Sequence, residues 1–118
     1  MITGSVDEDG IPYVTLTIGG QSWRSVIDSG FNGGLELPEA LAPFVYPQYW
    51  GQNESLLAGG QAIIEEYYRV VFPFDGKTVV AEASFVPGNE ILLGTQLLRR
   101  YRLTINFPER TVVLEQIA

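Results

Sequence analysis

Asp28 stands directly after two aliphatic residues, Val26 and Ile27, and directly before Ser29, Gly30, Phe31, Asn32 and the Gly33-Gly34 pair. A carboxylate at the end of an apolar strand is costly unless something uses it. What the chain lacks bounds that use. There is no cysteine, so disulfides, thiolate nucleophiles and cysteine zinc sites are excluded. There is no histidine, which removes the Ser-His-Asp triad and imidazole metal sites. Acid–base work near neutral pH therefore falls to carboxylates, Lys77, tyrosines or a bound ligand, and the fourteen Asp and Glu residues are the richest supply. Read alone, Asp28-Ser29-Gly30 is also an ordinary turn in which the aspartate caps its own loop.

The elements that must position Asp28 are legible as short strands. Tyr13–Ile18 alternates, with Val14, Leu16 and Ile18 on one face, and the Gly19-Gly20 turn leads into a partner strand, Gln21–Ile27. Asp9-Gly10 turns the chain after a first strand, Ile2–Val6. Beyond the glycine loop, Leu35–Leu37 reads as a strand and Pro38-Glu39 as the start of a helical turn reaching Phe44. Residues 46–53 read as irregular. Glu54–Ala58 and Gln61–Phe72 flank Gly59-Gly60 as a hairpin, and Asp75-Gly76 joins a second hairpin to Thr78–Val86. Ile91-Leu92-Leu93 is a buried run closed by Gly94, with Thr95 as cap of a short helix, Gln96–Tyr101. Leu103, Ile105 and Phe107 alternate, and Pro108-Glu109-Arg110 turns into a last strand, Thr111–Glu115. A faint repeat emerges: each half runs from a hairpin to an aliphatic strand, glycine and a short helix.

Composition fits one folded domain over residues 1–118, with 46% hydrophobic residues and no apolar run long enough to span a membrane. MITGSVDEDG has no basic region followed by an apolar one, so a cytoplasmic setting is expected. The formal net charge of −7 argues against nucleic acid and anionic membrane as partners. Arg99, Arg100 and Arg102 form the one basic cluster in the sequence, which reads as a solvated helix end in preference to a phosphate site.

Asp28-Ser29-Gly30 after two aliphatics resembles the active-site signature of the retropepsin-like (clan AA) aspartic proteases. Ile91-Leu92-Leu93-Gly94 resembles their second hallmark, and Gly59-Gly60 lies between the two, where that family carries a flap hairpin. Phe31, Asn32, Gly33, Leu35, Leu37 and Pro38 extend the likeness toward a prokaryotic branch marked by Asp-Thr-Gly-Phe. The resemblance implies an all-β, closed β-barrel with two short helices and a flap. It implies a homodimeric aspartic endopeptidase in which Asp28 of each subunit forms a dyad, needing no cofactor or metal and acting on a peptide or protein substrate. Two close carboxylates cannot both ionise cheaply, so they share a proton and activate a water between them.

The same resemblance assigns the remaining roles. Ser29 bonds across to the partner's loop, and Gly30 brings its amide to the carboxylate. Ala58, Gly59 and Gly60 form the flap tip over an extended substrate. Phe31, Asn32 and Leu93 contribute to substrate binding, with core packing an equal reading for Phe31, Leu35 and Leu93. The terminal strands are expected in the dimer sheet. The alternative is a retropepsin-like domain that no longer cuts and serves as a dimerisation or peptide-binding module. Asp7, Glu8 and Asp9 read as a solvated acidic turn rather than a calcium loop, and Trp23 and Trp50 as core or interface residues.

Overall fold

The computed structural model describes residues 1–118, the side chain of Ser55 excepted. Among the described residues ten strands form one sheet: β1 (Ile2–Val6), β2 (Pro12–Ile18), β3 (Gln21–Ile27), β4 (Leu35–Pro38), β5 (Gln48–Leu56), β6 (Ala62–Phe74), β7 (Lys77–Val86), β8 (Ile91–Leu93), β9 (Tyr101–Asn106) and β10 (Thr111–Gln116). Two four-residue helices, α1 (Ala42–Val45) and α2 (Thr95–Leu98), follow β4 and β8. The spatial order is β5-β6-β7-β4-β8-β3-β2-β1-β10-β9. The fold is all-β, as expected, but the sheet stays open, because its outer strands β5 and β9 are not hydrogen-bonded to each other.

The alternations seen in the sequence decide which face is buried. Val14, Leu16 and Ile18 of β2 join Leu35 and Leu37 of β4, Val70, Phe72 and Phe74 of β6, and Val112 and Leu114 of β10 in one apolar core. Leu41 and Val45 plug the end of that core from the 3-10 turn Glu39–Leu41 and α1. The large fully buried side chains, Phe72 and Phe74 among them, each contribute roughly 1.5–3 kcal/mol relative to exposure.

Several local expectations are corrected. Residues 48–53 are strand, not irregular, and join the expected strand from Glu54: β5 pairs antiparallel with β6 from Gln48↔Arg69 to Leu56↔Ala62. Its side chains lie mostly in solvent, so no apolar alternation marks it, and cross-strand pairing supplies its order. Pro38 closes β4 opposite Val86 instead of opening a helix, and the helical turn is split into two short pieces. Thr95 is the first residue of α2, whose cap position is Gly94 with no side-chain bond, and the helix ends at Leu98. Tyr101 already belongs to β9. The terminal strands are paired within the chain, β1 with β2 and β10, and β10 also with β9, so the free edges of the sheet are β5 and β9.

Candidate active site

β3 and β8 are adjacent and parallel, in the register Ser25↔Ile91, Val26↔Leu92 and Ile27↔Leu93. Both end at the same level, so Asp28 and Gly94 emerge side by side. β4 then enters on the far side of β8, antiparallel to it, with Leu35 opposite Leu93. The segment from Asp28 to Gly34 must therefore cross over the end of β8. Four backbone bonds hold it there: the Asp28 amide donates to the Leu93 carbonyl (3.0 Å), Gly94 to Gly34 (2.9 Å), Thr95 to Phe31 (2.9 Å) and Gln96 to Gly33 (3.1 Å). The crossing is so close that a Cβ on Gly94 would lie 2.1 Å from the Gly33 carbonyl oxygen. Glycine after the aliphatic run is thus a packing requirement, and the two halves of the faint sequence repeat are the two elements that interlock.

Asp28 is half-buried at this junction, and its Oδ1 accepts the Gly30 amide at 2.9 Å. A two-residue loop bond of this kind fixes the carboxylate plane relative to the backbone. Ser29, Gly30 and Asn32 are exposed on the outer side of the loop. Phe31 turns back: its ring packs over Gly33 and Gly94, where added Cβ atoms would come within 2.7–2.8 Å of it, so it braces the crossing. Leu93 is fully buried and belongs to the core, so its side chain supports the loop and does not wall a pocket; Leu35 is likewise core.

Ala58, Gly59 and Gly60 form the exposed tip of the β5–β6 hairpin, closed by the Leu57 amide donating to Gln61 (2.7 Å) and Gly60 to Leu57 (3.0 Å). Gly59 sits at φ 102°, in a region closed to most side chains. Leu56 and Ile64, 77% and 69% exposed, place apolar groups on the same hairpin.

Glu36 was missed by the sequence reading. It lies between Leu35 and Leu37, both in the core, so the strand period turns it to the opposite face, opposite Leu92 of β8 and Ser84 of β7. Burial pushes its carboxyl above the usual range, helped by the charges of Glu65 on β6 and of Asp28. The available signal was a single Glu inside a short central strand of leucines, where an unpaired charge needs a reason.

These features define a class at the level of fold: the chain has the retropepsin-like fold of aspartic proteases. It is similar to the simian foamy virus (mac) protease at TM-score 0.57 and 22% identity, over 74% of this chain and 91% of that one. Against a retropepsin-like aspartic protease from Rickettsia conorii the TM-score is 0.59 at 18% identity, over 96% and 88% of the two chains. A foamy viral protease-reverse transcriptase, in complex with an RNA/DNA hybrid, matches 80% of this chain at TM-score 0.60 and 15% identity; the chain spans only 13% of its length. No protein-family model and no curated protein matches the sequence.

Proposed function

We propose that the chain is an aspartic endopeptidase that works as a homodimer, with residues 1–118 acting as one domain and Asp28 of each subunit supplying one carboxylate. The observation that carries this reading is the position of Asp28. It stands half-buried where two parallel strands end together, its carboxylate oriented by the Gly30 amide at 2.9 Å, in a retropepsin-like fold.

In the reaction, the two Asp28 carboxylates share one proton and hold a water between them. The ionised one takes a proton from the water as its oxygen attacks the scissile carbonyl carbon. The protonated one gives its proton to the carbonyl oxygen, and collapse of the tetrahedral intermediate then breaks the C–N bond as the amine is protonated. Ser29, exposed beside Asp28, bonds to the partner's loop, and Gly30 orients the carboxylate. The β5–β6 hairpin, through Ala58, Gly59 and Gly60, covers a substrate that binds as an added strand, with Asn32 holding its backbone.

The test is cleavage of a mixed peptide library between about pH 4 and 7 by the wild-type chain and by Asp28→Asn, with light scattering on both. Wild-type cleavage that Asp28→Asn loses, with dimerisation kept, is the expected result. Equal cleavage by both proteins, or cleavage by neither, rejects the endopeptidase and favours the non-cutting module.

A further inference from the structure

A second concavity does not include Asp28 in its lining, although Gly34 of the crossing loop and Gln96 of α2 border it. Residues of β6 and β7, the end of α2 and the start of β9 enclose a groove of about 710 Å³, within the range of ordinary ligand pockets. Arg69, Val80 and Glu82 come from one face of the hairpin, and Phe74, Lys77, Val79 and Ala81 from its core-side face. Of the seven basic residues in a chain of net charge −7, four line it: Arg69, Lys77, Arg99 and Arg100. Among the described residues none of the four has a carboxylate in ion-pair contact; the ion pairs present involve Arg24 and the chain amino group. Glu82, across from Arg69 on β7, is the carboxylate in the lining. Lys77 donates to the Gln116 side chain and lies within reach of the Asp75 charge, so Arg69, Arg99 and Arg100 carry most of the positive field focused in this concavity.

The arrangement is built by the fold. Trp50 is the extra residue where the β5–β6 register shifts between Tyr49 and Gly51, and such a bulge re-aims a side chain. The Trp50 ring meets the Arg69 guanidinium 3.9 Å from its centroid, which holds the guanidinium on the aromatic face. Trp50 and Val80 remain 57% and 67% exposed, so the groove offers apolar surface between its charges. The arginines at positions 99 and 100 read from sequence as a solvated helix end; the structure adds Arg69 and Lys77 from distant strands.

We propose that this groove docks an acidic peptide segment of a partner protein, with Asp or Glu side chains meeting the four cations and an apolar side chain resting on Trp50 and Val80. Charge complementarity selects the segment, and the mixture of spread charges with exposed apolar surface favours a peptide over a compact phosphate. A nucleic acid would bring its dense charge against the acidic remainder of the molecule. The proposal stands whether or not Asp28 is catalytic.

The test uses a fluorescein-labelled peptide alternating Glu with Leu and Phe, titrated against the whole chain by anisotropy, with tryptophan emission as the second readout. The expected result is saturable binding that weakens with salt and a change in emission that Trp50→Phe removes. Arg69→Gln combined with Arg100→Gln should weaken binding by about tenfold or more, while Arg102→Gln and Arg110→Gln, outside the groove, leave it unchanged. Circular dichroism confirms that the variants are folded. The proposal is overturned if the Gln analogue of the peptide binds equally. It also fails if the paired groove substitution has no effect, which would locate the peptide elsewhere, including at Asp28. Tighter binding of inorganic phosphate or of a single-stranded oligonucleotide than of the peptide would assign the groove to a different ligand and overturn it too.

Discussion

Glu36 and Gly94 show how single residues set the properties of this junction. Glu36 has its carboxyl raised from the ordinary value of 4.5, first by burial and then by Glu65 and Asp28. The folded chain therefore holds that proton more tightly than the unfolded chain does. Its contribution to stability is complete below about pH 4.5 and is lost as pH rises through the raised value. Glu36→Gln should remove this loss, so that the variant gains on the wild type as pH rises from 4 toward 7 (~pH values of the titration). Urea denaturation across that range checks it; parallel curves for the two proteins would show that Glu36 is not perturbed. Gly94→Ala carries a different expectation. Its backbone lies at φ −96°, where alanine is comfortable, so the whole penalty is the collision with the Gly33 carbonyl. A loss of about 2–3 kcal/mol in urea denaturation is expected, and a neutral substitution would mean that the crossing loop moves freely.

The elements were unequally readable. Strands with one buried face announced themselves: β2 alternates apolar and polar residues, and the burial follows it residue by residue. β5 did not, because neither of its faces is well buried and its order comes from β6. α2 was placed a residue late and drawn too long because Thr95 is a good cap in sequence, whereas here the Gly94 carbonyl accepts the Leu98 amide at 3.2 Å, which makes Gly94 the cap position and Thr95 the first helical residue. The β6–β7 hairpin carries a test of its own. Asp75, at its turn, accepts the chain amino group at 2.8 Å and the Tyr101 hydroxyl at 3.0 Å, tying β9 to the hairpin. Burial, the hydrogen bond and the Asp75 charge push the Tyr101 hydroxyl up to about 12. Tyr68 is raised as well, by burial and by Glu66. Absorbance titration should therefore find more than one late-ionising tyrosine, and Asp75→Asn should bring Tyr101 down toward the ordinary value of 10.0. No change on that substitution would leave burial as the sole cause.

At the level of the assembled molecule, one chain offers one Asp28, so the proposed chemistry depends on association. Specific activity should fall on dilution, with the rate following the square of protein concentration once monomers predominate. Mixing equal amounts of wild type and Asp28→Asn should leave about one dimer in four with two aspartates. Activity that tracks protein concentration linearly at every dilution would mean that a single chain suffices. β1 and β10 are paired within the chain, so the free edges of the sheet are β5 and β9. No helix among the described residues is long and apolar enough to cross a membrane.

Residue order alone narrowed the chemistry to carboxylates, since a chain without cysteine or histidine has few other acid–base groups, and it marked Asp28, the glycine hairpin tip and the Ile91–Gly94 run. Those are local signals, carried by neighbouring residues and strand period. The parallel pairing of β3 with β8, the crossing of the Asp28 loop over Gly94, the turning of Glu36 to the face opposite the core and the gathering of Arg69 and Lys77 with Arg99 and Arg100 are contacts between distant segments. No local pattern encodes them. They follow from burying one face of many strands at once, which fixes strand order and register only when the whole sheet is assembled.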